Sequence, residues 1–150
     1  MTGVTTIRYF EDVQLGETLT PLKKDISIVR MMAYGAATWD LVRLHYDADY
    51  VREQGLPQPL VDGQMLGAFL AQLVQDWAGP RSYLRQLSFQ NRGMVFSGDS
   101  ITCHGRVKAT NEIKEANLVE CDLWIENQRG ALVVRPASAT VWLPSRSGLR

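Results

Sequence analysis

The sequence predicts an α+β fold in which an antiparallel sheet wraps around one long helix. Two observations lead to this prediction: the middle of the chain carries a single long amphipathic segment, and four strand-like segments follow it in succession. A chain of 150 residues is long enough for one compact core and short for two. We therefore expect a single domain over residues 1–150.

The first third of the chain predicts one strand and two short helices. Residues 18–29, TLTPLKKDISIV, alternate between apolar and polar side chains in the manner of a strand. Residues 30–40, RMMAYGAATWD, favour a short helix with small residues on one side. Residues 47–54, DADYVREQ, favour a second one, with Asp47 as its N-cap and Gly55 as its stop.

The longest helix is predicted from Gly63 to Ala78. Before it, Pro57 and Pro59 lack backbone donors and restrict the residues that precede them, so GLPQPLVDG is expected to be irregular. Asp62 is a natural N-cap, and Gly79-Pro80 ends the helix. The apolar residues recur at the spacing of one broad helical face: Leu66, Phe69, Leu70, Leu73, Val74 and Trp77.

The rest of the chain predicts antiparallel sheet. Short turns, FSGDS and QRG among them, separate the strand-like segments. The predicted strands cover residues 83–95, 101–110, 117–127 and 131–143. The hotdog fold has this element order: short helices, one long helix and then a run of long strands.

Composition excludes several classes of function. Sixteen basic and sixteen acidic residues cancel, so no positive field favours nucleic acid. The N-terminus has no apolar signal segment, and no stretch is apolar and long enough for a membrane span, so a cytoplasmic location is expected. Cys103 and Cys121 lie on predicted neighbouring strands, where a disulfide is conceivable, but the lack of a secretion signal favours two reduced core thiols.

The stretch TWDLVRLHYDADY places Asp40 five residues before His45, one of only two histidines. Residues five apart on a helix do not share a face, so the two can act together only if the chain leaves the helix between them. We expect Asp40 to end the short helix and residues 41–45 to form an extended exit. The alternative is a helix-ending carboxylate and an ordinary loop histidine, and spacing alone leaves it open.

The segment YGAATWDLVRLH resembles the hydratase signature of the MaoC-like family, hotdog enzymes that include the (R)-specific enoyl-thioester hydratases and dehydratases. That signature runs aromatic, three variable residues, Ser/Thr, Gly, Asp, any residue, Asn, Pro, aliphatic, His. Three positions depart from it: Trp39 replaces the usual Gly, Val42 the Asn and Arg43 the Pro. Five positions match in register: Tyr34, Thr38, Asp40, Leu44 and His45.

The resemblance implies a catalytic pair, with Asp40 activating a water and His45 as its acid/base partner. The negative charge on the thioester oxygen needs donors, and the amides at the start of the long helix, at Gly63, are suited to it. Asp62 replaces the family's usual His, and we expect it to face the helix cap. The expected substrate-binding residues are Tyr34, Trp39, Val61, Asp62, Gln64 and Met65.

The function implied is (R)-specific hydration of trans-2-enoyl-CoA, or dehydration of 3-hydroxyacyl thioesters, with no cofactor and no metal. Its rivals are an acyl-carrier dehydratase, a mesaconyl-CoA-type hydratase and a non-catalytic hotdog subunit. The resemblance also implies a homodimer or a heteromer with another hotdog subunit. His104 and Asp99 are expected to be structural, and solvated positions are expected for Arg43, Arg85 and Arg92.

Overall fold

The computed structural model describes residues 7–113 and 116–148. One curled sheet of five antiparallel strands, in the order β1-β3-β4-β5-β2, packs against one long helix, α3. The α+β hotdog prediction is confirmed. The strands are β1 (Leu22–Asp25), β2 (Tyr83–Asn91), β3 (Ser100–Ile113), β4 (Ala116–Asn127) and β5 (Leu132–Trp142), and the helices are α1 (Ile28–Thr38), α2 (Ala48–Glu53) and α3 (Gly63–Ala78).

Helix α3 begins and ends where the sequence predicts. The Asp62 carboxylate accepts a hydrogen bond of 2.8 Å from the Gln64 amide, which is an N-cap. Gly79 has a φ of +81° and its amide bonds the Gln75 carbonyl. The predicted apolar face is buried in the core except for Trp77, which is partly buried against it; each large buried side chain contributes roughly 1.5–3 kcal/mol of transfer free energy.

The strands that cover α3 alternate between the core and the outer face. On β4 every second side chain from Val119 to Ile125 is fully buried, and β5 places Val141 against the same core. A bulge between Val107 and Ala109 interrupts the pairing of β3 with β4. The sheet therefore curves around the helix with one continuous apolar face.

Several predicted bounds were wrong at element ends. The strand predicted at 18–29 is only β1, because Ser27 accepts from the Arg30 amide and starts α1 two residues earlier than expected. Helix α1 ends at Thr38 instead of residue 40. The strand predicted at 83–95 stops at Asn91, because the next two amides both bond the Val133 carbonyl.

The two cysteines are free and buried, as expected, on β3 and β4. Cys121 is paired in register with Val107, four residues along β3 from Cys103. That offset is roughly 13 Å at strand rise, which is beyond the reach of a disulfide. Within residues 7–113 and 116–148, no helix is long and apolar enough to cross a membrane.

Both thiols are expected to resist labelling in the folded protein. Burial raises the pKa of Cys103 and of Cys121 to about 12, so the reactive thiolate is scarce at pH 8. Incubation with a disulfide reagent such as DTNB at pH 8 should release almost no thiolate until denaturant is added, after which two equivalents should appear. Rapid labelling without denaturant would show that the sheet opens locally.

Candidate active site

A tight turn at the end of α1 positions Asp40. The Gly35 carbonyl accepts a 3.0 Å hydrogen bond from the Asp40 amide, and the Thr38 hydroxyl bonds the Tyr34 carbonyl at 2.9 Å. Trp39 ends the helix with a φ of +61°, a left-handed conformation that favours glycine. The turn thus keeps the geometry that a Gly at this position would adopt without strain, although Trp39 occupies it.

His45 lies in a three-residue 3-10 turn, Arg43–His45, so the expectation of an extended exit was wrong for these residues, although Val42 before them has extended backbone angles. The turn shortens the path from Asp40 and brings the imidazole back toward α1. The His45 Nδ1 lies 2.7 Å from the Leu60 carbonyl oxygen. Because a carbonyl only accepts, Nδ1 carries the hydrogen, and Nε2 remains for proton exchange.

Asp40, His45 and Asp62 meet at one half-buried place. One carboxylate oxygen from each aspartate and one ring nitrogen lie within 4.8 Å of one another. A water with hydrogen bonds of about 2.8 Å bridges two groups at roughly this separation. Asp62 caps α3 as expected and also comes close to the pair, which its capping role alone did not indicate.

Tyr34 lies beside these carboxylates. Burial is the main cause that raises the pKa of its hydroxyl, and the negative charges of Asp62 and Asp40 raise it further. The phenol therefore stays protonated at neutral pH. It presents a neutral hydrogen-bond donor on the acidic side of the site.

The first turn of α3 retains one unused donor. The Gln64 amide bonds the Asp62 side chain and the Met65 amide bonds the Asp62 carbonyl. In the described part of the chain, the Gly63 amide has no hydrogen-bond acceptor, and the positive end of the helix dipole lies there. It is therefore free to bind a ligand oxygen.

A cavity of about 310 Å³ opens next to Gly63. Leu60, whose carbonyl oxygen accepts the hydrogen bond from His45, is one of the residues that line it. Most of its lining is apolar, which suits an acyl chain. The lining residues are Leu60, Val61, Gly63, Leu66, Asn91, Arg92, Gly93, Met94 and Val95.

The other predicted substrate-binding residues lie in different environments. Val61 is buried and lines the cavity, whereas Met65 lies on the core-facing side of α3 and is buried there. Gln64 is exposed, and the Trp39 side chain is 84% exposed, so its ring points away from the core. The sequence analysis did not single out Gly35, Leu60 or Asn91. These residues belong to the site because of their contacts in the folded chain, and no sequence pattern indicates those contacts.

Residues expected to be structural are occupied by local contacts. His104 stacks on Trp124 with ring centroids 5.2 Å apart, on the pair of strands β3 and β4. Asp99 accepts from the Phe96 amide in the turn before β3. Arg43, which was expected to be solvated, is exposed and pairs with Asp47 at 2.9 Å.

The same three side chains, Asp40, His45 and Asp62, could also hold a divalent cation. Among residues 7–113 and 116–148 they form the one group of three potential ligands this close together. Two carboxylates and one imidazole suit metals such as Mn²⁺ or Zn²⁺. Acid/base chemistry on a water and metal binding would use the same atoms, so an experiment must separate them.

Comparisons with known proteins agree with the fold. Residues 8–127 match the family model described as a MaoC like domain, and no curated protein matches significantly. The chain is similar to the (R)-hydratase from A. caviae involved in PHA biosynthesis, with 26% identity, a TM-score of 0.81 and coverage of 89% of this chain and 99% of that one.

Two more distant structures share the fold. R-hydratase PhaJ1 from Pseudomonas aeruginosa is 19% identical, with a TM-score of 0.82 and coverage of 92% of this chain and 86% of that one. A chain of the ChsH1-ChsH2 complex from Mycobacterium tuberculosis is 23% identical, with a TM-score of 0.78 and coverage of 87% and 98% respectively. The fold is therefore one that solved hydratase structures adopt.

Proposed function

Because the chain belongs to the MaoC-like dehydratase family, we propose that it catalyses (R)-specific hydration of trans-2-enoyl-CoA, or the reverse dehydration of 3-hydroxyacyl thioesters. The observation that carries the proposal is the approach of the Asp40 carboxylate to the His45 ring, across a distance that one water spans. The anchored Nδ1 of His45 supports it, because it fixes the tautomer that exchanges a proton at Nε2.

In the hydration direction, Asp40 and His45 hold the water that adds to the substrate. Its oxygen forms a bond to C3 while Asp40 takes one proton, and the electrons of the double bond move toward the thioester oxygen. As the carbonyl forms again, C2 takes a proton from the pair, so the elements of one water have been added. The carboxylate and the imidazole return to their starting states.

The Gly63 amide supports the charge that develops on the thioester oxygen. A donor fixed at a helix N-terminus is preorganised and needs no rearrangement during the reaction. Removal of one such donor typically costs about 10²–10³-fold in rate. Asp62 limits this benefit because its carboxylate is close, but the hydrogen bond from the Gln64 amide partly compensates its charge.

Asp62 also bears on the choice between substrates. It adds a second carboxylate beside the catalytic pair, in a half-buried site where like charges repel strongly. An acyl group that carries its own carboxylate next to the reacting carbons is therefore disfavoured. We favour a neutral enoyl chain over a mesaconyl-type dicarboxylic substrate.

A hotdog partner subunit is part of the proposal. Strand β2 is an edge strand: it pairs with β5 on one side only, within the residues that the structure describes. Nine residues of edge backbone favour pairing with another chain. The partner is a second copy or a different hotdog subunit; the matched chain of the ChsH1-ChsH2 complex is an example of this fold in a complex of two different proteins.

The proposal is tested by the loss of enoyl-thioester absorbance with purified protein. Crotonyl-CoA or a longer trans-2-enoyl-CoA should be hydrated to the (R)-3-hydroxyacyl product, mesaconyl-CoA should react more slowly, and EDTA should have no effect. The (S) product would contradict the stereochemistry, and loss of activity with EDTA would favour a metal at the three side chains. No reaction with any CoA ester would favour a carrier-linked substrate or a non-catalytic subunit.

A further inference from the structure

Asn91, the last residue of β2, lies directly against Gly63. A methyl group on Gly63 would overlap the Asn91 Nδ2 atom, so the side-chain amide occupies the space that the missing Cβ leaves. Asn91 also lines the same cavity as Gly63. The Asn91 side chain and the start of α3 therefore border one cavity.

The backbone around Asn91 is held firmly while its side chain is not engaged. Asn91 pairs in register with Val134 of β5, and the following Arg92 and Gly93 amides both bond the Val133 carbonyl. Across the described residues, the Asn91 side chain makes no hydrogen bond. The backbone therefore places the side chain beside the cavity, and its two amide hydrogens are available to a ligand there.

The surroundings indicate what these hydrogens would bind. The cavity lining around Asn91 is dominated by apolar side chains, among them Val61, Leu66 and Val95. A polar ligand atom that enters this cavity beside Gly63 meets two donors, the helix amide and the Asn91 amide. A carbonyl oxygen, with two lone pairs, can accept from both.

We propose that Asn91 is a second oxyanion donor, which binds the thioester oxygen together with the Gly63 amide. This inference rests on the proposed hydratase function. The amide transfers no atom; its hydrogen bond strengthens as negative charge grows on the oxygen and weakens when the carbonyl forms again.

The test uses substitutions that separate the donor from the volume. Asn91→Asp keeps the shape but replaces the two N–H groups with a charged acceptor, and Asn91→Ala removes the amide. Both variants are expected to lower kcat by about 10²-fold, with a smaller change in KM. Gln90→Ala is the matched control, because Gln90 is the exposed neighbour on β2 and does not line the cavity.

A spectroscopic measurement distinguishes donation from a structural role. A conjugated dienoyl-CoA should absorb at longer wavelength when its carbonyl is polarised by donors, and the Asp40→Asn background prevents its turnover. We expect the full red shift in Asp40→Asn and in Asp40→Asn/Gln90→Ala, and a clearly smaller shift in Asp40→Asn/Asn91→Ala, where only the Gly63 amide remains. Thermal unfolding of the Asn91 variants should match that of Gln90→Ala, because both side chains are exposed.

An unchanged red shift without Asn91, or a kcat within a few-fold of that of Gln90→Ala, would overturn the assignment while leaving the hydratase proposal intact. If the unmodified protein hydrates no enoyl thioester and the Asp40→Asn protein shifts no spectrum, the hydratase proposal fails and the role of Asn91 fails with it.

Discussion

Asp40→Asn and His45→Ala are each expected to lower the rate of enoyl-CoA hydration by about 10²-fold or more. Asp40→Asn keeps the size of the side chain but cannot take the proton of the attacking water. His45→Ala removes the ring nitrogen that shares this water and also frees the Leu60 carbonyl. The rates are measured as initial loss of absorbance at saturating crotonyl-CoA.

The double variant Asp40→Asn/His45→Ala provides a stricter check. If the two groups act on one water, the double variant should be little slower than the slower single variant, because residues that act as a unit are not additive. Asp47→Asn and His104→Ala are matched controls, since Asp47 caps α2 and His104 stacks on Trp124 outside the site. Equal losses in the controls would mean that the site has been assigned to the wrong residues.

Gly35→Ala is expected to destabilise the protein and to impair catalysis, although the substitution normally strengthens a helix. Alanine is favoured over glycine inside a helix by about 1 kcal/mol. Here, however, the new Cβ would lie 2.7 Å from the Asp40 carbonyl oxygen, a backbone atom that cannot simply rotate away. The turn that carries Asp40 must move, and such overpacking costs about 1–3 kcal/mol.

The displacement of Asp40 should also lower the rate of enoyl-CoA hydration. A catalytic group misplaced by about 1 Å can cost on the order of 10²-fold. Denaturant unfolding gives the change in stability, and the hydration assay under native conditions gives the change in rate. Ala36→Ser, on the exposed side of the same helix, is the control and should leave both nearly unchanged. A stabilised, fully active Gly35→Ala protein would show that the α1 turn tolerates the methyl group.

Local signals in the sequence predicted the long helix well. Asp62 before it and Gly79-Pro80 after it act within one turn of the chain, and the apolar spacing between them depends on helical geometry alone. The ends of β1 and β2 were predicted less well. Strand β1 ends where the N-cap of α1 begins, and β2 ends where two successive amides bond the Val133 carbonyl. Neither contact can be predicted from residue propensities.

The candidate site, like the fold, was predicted only in part. Short spacings and one local motif were enough to predict the element order, the pair Asp40 and His45, and the N-cap at Asp62. The position of Asp62 beside that pair and the contact of Asn91 with Gly63 became visible in the folded chain alone. These contacts join segments far apart in the chain, and packing of the sheet around α3, not the order of residues, sets their distances.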